Sequence, residues 1–251
     1  MFYHNIDPVL IGLGPFQIRY YGLIFVFGIF LTYLIFKHLA KKRQLPLSNK
    51  DFDDYILYGV VGVLVGARLG SVISDFSFYA ANPLQIFAVW NGGLAFHGGL
   101  IGLVIAGYYY SKRKNISFYD VADLTAIPLA FALGLGRIAN FINGEFYGTV
   151  TNLPWAVQFQ GVEGFRHPVQ LYESAKNFLI FAVLWHVKTH KLPRGMLFWM
   201  FITLYGGFRF SLEFYKDLPP YLLNLTWGQV WSLPMFVIGG YMLYKLVRKK
   251  N

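Results

Sequence analysis

Apolar residues in this chain run in long blocks, separated by short polar stretches that are rich in lysine and arginine. A membrane-spanning helix needs about 20 mostly apolar residues. Blocks of roughly that length predict about seven helices, at 20–36, 55–74, 92–110, 119–141, 174–187, 195–214 and 228–247, the fifth being the shortest. The expected fold is an all-α polytopic membrane protein, a single domain over 1–251. A longer polar segment, 143–173, carries glycines, prolines and a strand-like stretch at 155–159. It is expected to form a small cap on the outer face. No internal repeat is evident, which counts against transporter folds built from repeats.

The connecting segments predict an orientation. Lys37, Lys41, Lys42, Arg43 and Lys50 follow the first block, and Lys112, Arg113 and Lys114 the third. Lys188, Lys191 and Arg194 follow the fifth, and Lys245, Arg248, Lys249 and Lys250 end the chain. Stretch 75–91 has no lysine or arginine. Basic residues concentrate in cytoplasmic loops, so the N-terminus is expected outside and the C-terminus in the cytoplasm. Positions 1–17 lack a basic region before an apolar core and a small-residue cleavage site, so the first block is expected to be a retained span.

Composition strengthens this picture. Of 251 residues, 56% are hydrophobic and only 14% charged, where a soluble domain carries about a quarter charged. The net charge of +10 would suit nucleic acid, but its confinement to alternate loops makes it a topology and anionic-lipid signal. No nucleic-acid partner is expected. Cysteine is absent, which excludes a disulfide, a thiol nucleophile and a cysteine metal site.

Charges inside apolar blocks are the candidate chemistry. Each costs at least ~2.5–3.5 kcal/mol near the bilayer centre and so faces a protein interior or a wet cavity. Arg68, Arg137, Arg209 and Glu213 are of this kind. Arg209 and Glu213, four apart, also read as mutual neutralisation on one helix face. Arg137 has no acidic residue at helical spacing in its own block, and a guanidinium fork matches phosphate oxygens. His97 lies among Gly92, Gly93, Gly98 and Gly99. A histidine on an apolar face is usually a core residue, but glycines permit close approach and imidazole takes a proton near neutral pH. His97 has no second ligand at helical spacing and His167 lacks a partner motif, so no metal site is expected. Most aromatic residues read as an interfacial belt; Tyr20-Tyr21-Gly22 is kept as a further candidate.

The segment Gly136-Arg137-Ile138-Ala139-Asn140-Phe141-Ile142-Asn143-Gly144-Glu145-Phe146-Tyr147-Gly148 closely resembles the signature of the prolipoprotein diacylglyceryl transferase family, G-R-x-x-N-F-x-N-x-E-x-x-G. The resemblance extends over nearly the whole chain. It includes Arg19-Tyr20-Tyr21-Gly22-Leu23, Gly66-Ala67-Arg68-Leu69-Gly70, and Trp90-Asn91-Gly92-Gly93 through Phe96-His97-Gly98-Gly99. Asn91 stands where the family often carries an acidic residue. The stretches at 166–173, 205–214 and 228–232 also match.

The resemblance implies seven spans and a reaction at the outer leaflet of a bacterial plasma (inner) membrane. Diacylglyceryl passes from phosphatidylglycerol to the lipobox cysteine thiol of a prolipoprotein signal peptide, and glycerol phosphate leaves. It implies no cofactor and no metal. A thiol must become thiolate, fixed cations must meet the departing phosphate, and the lipid carbon must lie in line for attack. On this reading Arg137 and Asn140 grip the phosphate, and Arg209, oriented by Glu213, stabilises its departure. His97 activates the thiol with Gly98 beside it, and Tyr21 positions thiol or phosphate. Asn143, Glu145 and Gly148 shape the mouth below the cap. Arg68 and Glu173 read as binding residues or as structural pairs. A lipid transporter or flippase, or a non-catalytic anionic-lipid-binding subunit, would also place arginines in a membrane; neither would change its lipid chemically.

Overall fold

Each apolar block forms a helix in the computed structural model, whose described residues are 1–13 and 16–249. Lys250, counted above among the C-terminal cations, lies outside them. In chain order the elements are β1 (Phe2–Tyr3), β2 (Val9–Leu13), β3 (Phe16–Arg19), α1 (Tyr20–Lys42), α2 (Asn49–Ser74), α3 (Phe76–Ala81), α4 (Phe96–Arg113), α5 (Phe118–Asn143), β4 (Val157–Gln158), α6 (Val169–Val187), α7 (Met196–Glu213) and α8 (Trp227–Arg248). Two short 3₁₀ turns, Pro83–Ile86 and Val89–Asn91, separate α3 from α4. Strand content is confined to two two-stranded pairs among the described residues, so the protein is all-helical in class.

Four helices, α1, α2, α5 and α8, are long and apolar enough to cross a membrane by length and composition. Only 11% of the apolar window of α2, and the same share of α8, is buried inside the protein. Val61, Val65 and Leu69 on α2, and Phe236, Val237 and Tyr241 on α8, are instead exposed. A surface of that kind is stable against lipid and costly against water. This is a membrane protein.

Helix ends differ from the apolar blocks for identifiable reasons. Helix α1 continues through Lys41 and Lys42, because lysine is a good helix former wherever its head can reach solvent. Helix α2 begins at Asn49, where Ser48 and Asp51 form a reciprocal capping box. Conversely, α4 begins only at Phe96, since Gly92 and Gly93 take φ of +82° and +67°, outside the helical region.

The chain divides into two compact units. One comprises Phe36–Ala122. Its core is an aromatic stack of Phe36 on Tyr55, 3.7 Å between centroids, with Phe52 and Tyr110 edge-on. Lys114 ties the end of α4 to Asp51 and Asp54 at the start of α2. Between these ends α2 and α4 meet through small residues: Gly62, Gly66 and Gly70 face Gly98, Gly102 and Ala106. A Cβ on Gly66 would meet the Gly98 carbonyl and lie 2.8 Å from Gly102 Cα. Backbones this close are the usual contact of helices in lipid.

The other unit comprises Met1–Ile35 and Asp123–Asn251. Ser174 on α6 donates to the Gly134 carbonyl on α5 at 2.9 Å, and Gly134 leaves room for the Phe178 ring. The start of α7 is capped from a distance: both Asp123 carboxylate oxygens accept backbone N–H bonds at 2.9 Å, from Gly195 and Phe198. Gly206 and Gly239 bring α7 and α8 together. The segment between α5 and α6 carries β4, within the strand-like stretch read at 155–159. It pairs in parallel with β1, Phe2 against Val157 and Tyr3 against Gln158. Strands β2 and β3 form an antiparallel pair that the apolar pattern did not predict.

Candidate active site

Helices α5, α6 and α7 carry charged groups that converge inside the larger unit. Arg137 lies on α5, one turn before Asn140. Arg209 and Glu213 lie one turn apart on α7, and Glu173 on α6 faces both helices. The Glu173 carboxylate is 1% exposed and meets three cations: Arg137 Nε at 2.6 Å, Arg209 Nη1 at 2.9 Å and Lys216 Nζ at 2.6 Å. Glu213 receives Arg209 Nε at 3.3 Å and Lys216 Nζ at 3.0 Å. The Thr226 hydroxyl, at the N-cap of α8, donates to Glu213 at 3.2 Å. A Cβ on Gly228 would collide with the Glu213 carboxylate, so glycine is what lets that charge sit against the first turn of α8. The positive end of the helix dipole favours an anion there.

The cluster has depth. The Arg137 and Arg209 side chains keep 19% and 14% of their surface exposed, whereas Glu173 and Glu213 are buried. Both arginine side chains are therefore held by buried carboxylates while remaining partly exposed. Tyr205, buried on α7, lies within electrostatic reach of both arginines. A fork held in this way is preorganised for a planar or tetrahedral oxyanion, because its rotamer freedom has already been lost.

Beside Arg137 the end of α5 forms a second polar group. Arg137 Nη1 donates to Asn140 Oδ1 at 3.3 Å, and Asn140 Nδ2 donates to Glu145 Oε1 at 2.7 Å. Asn143 Nδ2 reaches the same oxygen at 3.3 Å. The turn that brings Glu145 back uses Gly144 at φ +71°. Tyr21, in the first turn of α1 and half-buried, lies within electrostatic reach of Glu145 and Arg137. Gly148 sits where the segment after α5 crosses the end of α7. Its N–H donates to the His167 carbonyl, and a Cβ there would meet Val169 and the Tyr215 carbonyl.

The remaining sequence-predicted residues lie in the smaller unit. His97 is in the first turn of α4 and partly exposed. Gly98 is a contact point of α4 with α2. Arg68 is buried, donating to the Tyr79 hydroxyl at 2.8 Å and the Ala88 carbonyl at 2.6 Å, so it fixes the segment after α2. That segment borders an open pocket of about 250 Å³ whose lining includes Arg68, Asp75, Gln85, Asn91 and the Gly92–Gly93 pair. Among the described residues, no three His, Asp or Glu side chains converge in an arrangement that could hold a metal ion.

Sequence reasoning left Glu173 between two readings and overlooked Lys176 and Lys216. A signal for Lys176 was present, a cation inside the apolar block 174–187. Lys216 follows the block that ends at 214 and looked like an ordinary flanking charge.

Fold and cluster together define an all-helical membrane protein whose interior holds two arginines on buried carboxylates. Its sequence places it further. A family model described as prolipoprotein diacylglyceryl transferase matches residues 8–245, and the chain belongs to that family. It is 42% identical to the phosphatidylglycerol–prolipoprotein diacylglyceryl transferase of Geobacter sulfurreducens, over 100% of this chain and 99% of the relative. The proteins of the same name from Nitratidesulfovibrio vulgaris and Coxiella burnetii are 40% and 38% identical. They align with 95% and 100% of this chain, and with 94% and 99% of their own lengths.

Proposed function

We propose that this chain transfers the diacylglyceryl group of phosphatidylglycerol to the lipobox cysteine thiol of prolipoproteins, the first step of lipoprotein maturation. The observation that carries this reading is the arginine pair, Arg137 and Arg209, held together on the buried Glu173 carboxylate with both side chains partly exposed. In the step itself the thiol proton is lost and the sulfur attacks the glycerol carbon. A thioether forms as the C–O bond to phosphate breaks, and that electron pair departs on the oxygen of glycerol phosphate. Arg137, with Asn140, binds the lipid phosphate, and Arg209, set by Glu213, stabilises the leaving charge. His97 takes the thiol proton, with Gly98 next to it, and Tyr21 positions thiol or phosphate. Asn143, Glu145 and Gly148 shape the approach to the arginines. Arg68 contributes to substrate binding by fixing the segment before His97.

On this reading 1–251 is one integral-membrane transferase domain of the bacterial inner membrane. Helices α1, α2, α4, α5, α6, α7 and α8 are its seven spans, with the N-terminus outside and the C-terminus cytoplasmic. The segment 143–173 is a cap on the outer face, and the reaction takes place at the outer leaflet. The lysine- and arginine-rich connections support this orientation.

The test is to incubate purified protein with phosphatidylglycerol and a lipobox peptide containing one cysteine. Mass spectrometry should then show one diacylglyceryl group added to the peptide, with release of glycerol phosphate. Arg137→Ala should abolish the product while the protein still inserts, and full activity in that variant would remove the phosphate assignment. His97→Gln should lower the rate and change its pH profile; a wild-type rate and profile would exclude the base role. Absence of product from folded, lipid-binding protein would favour a transport or scaffolding role.

A further inference from the structure

Helix α6 ends in two histidines that the proposed reaction does not use. His186 lies in its last turn, and His190 follows in the turn beyond Val187. Residues four apart share one face of a helix. The two rings stand 5.9 Å apart between centroids, at 59° to each other, and both residues are exposed. Glu173, near the other end of the same helix, is about 20 Å away along its axis. The pair is therefore separate from the arginine cluster.

The turn sets the chemistry of His190. Its backbone N–H donates to the Val187 carbonyl at 3.0 Å, and its Nδ1 lies 3.2 Å from the same oxygen. A carbonyl oxygen only accepts, so in the neutral ring Nδ1 carries the proton and the lone pair is left on Nε2. A carbonyl behind one ring nitrogen is the usual support of a metal-binding histidine, because it fixes both tautomer and ring direction. The Thr189 hydroxyl donates to the His186 carbonyl at 2.9 Å, which holds the turn between the two rings. The C-terminal end of a helix also favours a positive charge.

The surroundings narrow the choice of ion. Lys188 is turned the other way, its Nζ donating to the Trp185 carbonyl at 2.8 Å and lying 3.5 Å from the centroid of the Trp185 ring. Lys191 and Arg194 follow, and the sequence has no aspartate or glutamate between Glu173 and Glu213. Among the described residues no third His, Asp or Glu joins the pair. Calcium and magnesium, which need oxygen ligands and respond to negative charge, find neither here. Copper, nickel and zinc bond to imidazole nitrogen itself. Two imidazoles on one tetrahedral ion have ring centroids about 5 Å apart, a spacing that a small rotation of the exposed His186 ring reaches.

We infer that His186 and His190 form a chelating site for one divalent transition-metal ion of the copper, nickel or zinc class, with water completing its coordination. The site stands independently of the transferase reading. On the orientation proposed above, it opens to the cytoplasm.

The test uses the full chain in detergent, purified without a histidine tag, with Cu²⁺ as the probe. Titration calorimetry is run at about pH 7.5, where an ordinary imidazole is neutral. The wild-type protein should bind Cu²⁺, and either His186→Gln or His190→Gln should weaken binding by about tenfold or more, since each turns a chelate into a single contact. Electron paramagnetic resonance of the bound ion should show coupling to two imidazole nitrogens in the wild type and to one in each variant. Zn²⁺ and Ni²⁺ should compete for the site, and Mg²⁺ should not. A wild-type protein that binds no Cu²⁺, or a variant that binds it as tightly as the wild type, overturns the inference. Both residues are exposed, so the variants are expected to fold and to keep wild-type transfer in the peptide mass assay.

Discussion

Helices α2 and α4 meet backbone to backbone, whereas α5, α6 and α7 meet through charged side chains. In the first pair, glycines at four-residue spacing remove the side chains that would keep the helices apart, and no space is left between them for a ligand. In the second group the spacing is filled by two arginines, two lysines and two carboxylates. Lipid offers no hydrophobic reward for bringing helices together, so either close packing or polar contact must do so. Packing gives rigidity and excludes chemistry. Charge is costly in a membrane but leaves groups able to exchange partners. The glycine-packed pair is therefore suited to be a frame that carries His97 at its end, and the charged group to hold the phosphate.

Substitutions can break this contrast from either side. The largest effect is expected from Glu173→Gln, which leaves Arg209 and Lys216 with Glu213 alone and removes the ion pair of Arg137. Losing one partner of a buried ion cluster costs about 3–5 kcal/mol, visible as a lower melting temperature in detergent together with loss of transfer. A wild-type melting curve would mean that the cluster does not hold these helices together. Gly66→Val should cost about 1–3 kcal/mol by forcing α2 away from Gly98 and Gly102. Its signature is faster hydrogen exchange along α2 and α4, and unchanged exchange there would refute backbone packing as the frame. Gly228→Ala should have a smaller effect, about 1–2 kcal/mol. By displacing Glu213 from the start of α8, it should lower kcat before it lowers stability.

The smallest expected effect concerns pH. His167 lies in the segment between α5 and α6, near Tyr172 and Tyr215, and burial holds its pKa below the usual histidine value of 6.5. Above that value it is neutral both folded and unfolded, and contributes no pH dependence. As pH falls below about 6.5 the unfolded chain takes up its proton first, so the folded segment loses stability. Protection factors in 144–168, which remove the intrinsic pH dependence of amide exchange, should therefore fall on acidification, and His167→Phe should flatten that response.

Helix positions were legible because they depend on local composition, and blocks of apolar residues declare themselves. Helix ends were less so. The true start of α6 at Val169 is hidden by Gln170 and Glu173, polar residues that are buried by contact with other helices. Of the site, Arg137, Arg209 and Glu213 stood out as charges in apolar surroundings. Their meeting point did not, since Glu173 lies 36 residues from each arginine along the chain and nothing local announces the pairing. Lys176 was readable by the same rule that singled out the arginines. Lys216 was not, because a lysine just past a helix end is ordinary and only the fold turns it inward.

The parallel pairing of β1 with β4 has a consequence for the order in which the molecule is completed. Phe2 is made well before its partner Val157, which comes after α5. At ~5–20 residues per second, about 155 residues take roughly 8–30 s to synthesise. Throughout that interval the opening segment has no strand to join and presents unpaired backbone groups, as any sheet edge does. Strand β1 thus waits for a partner made much later, and slowing translation between α1 and α5 should lengthen the time for which it remains open to proteases.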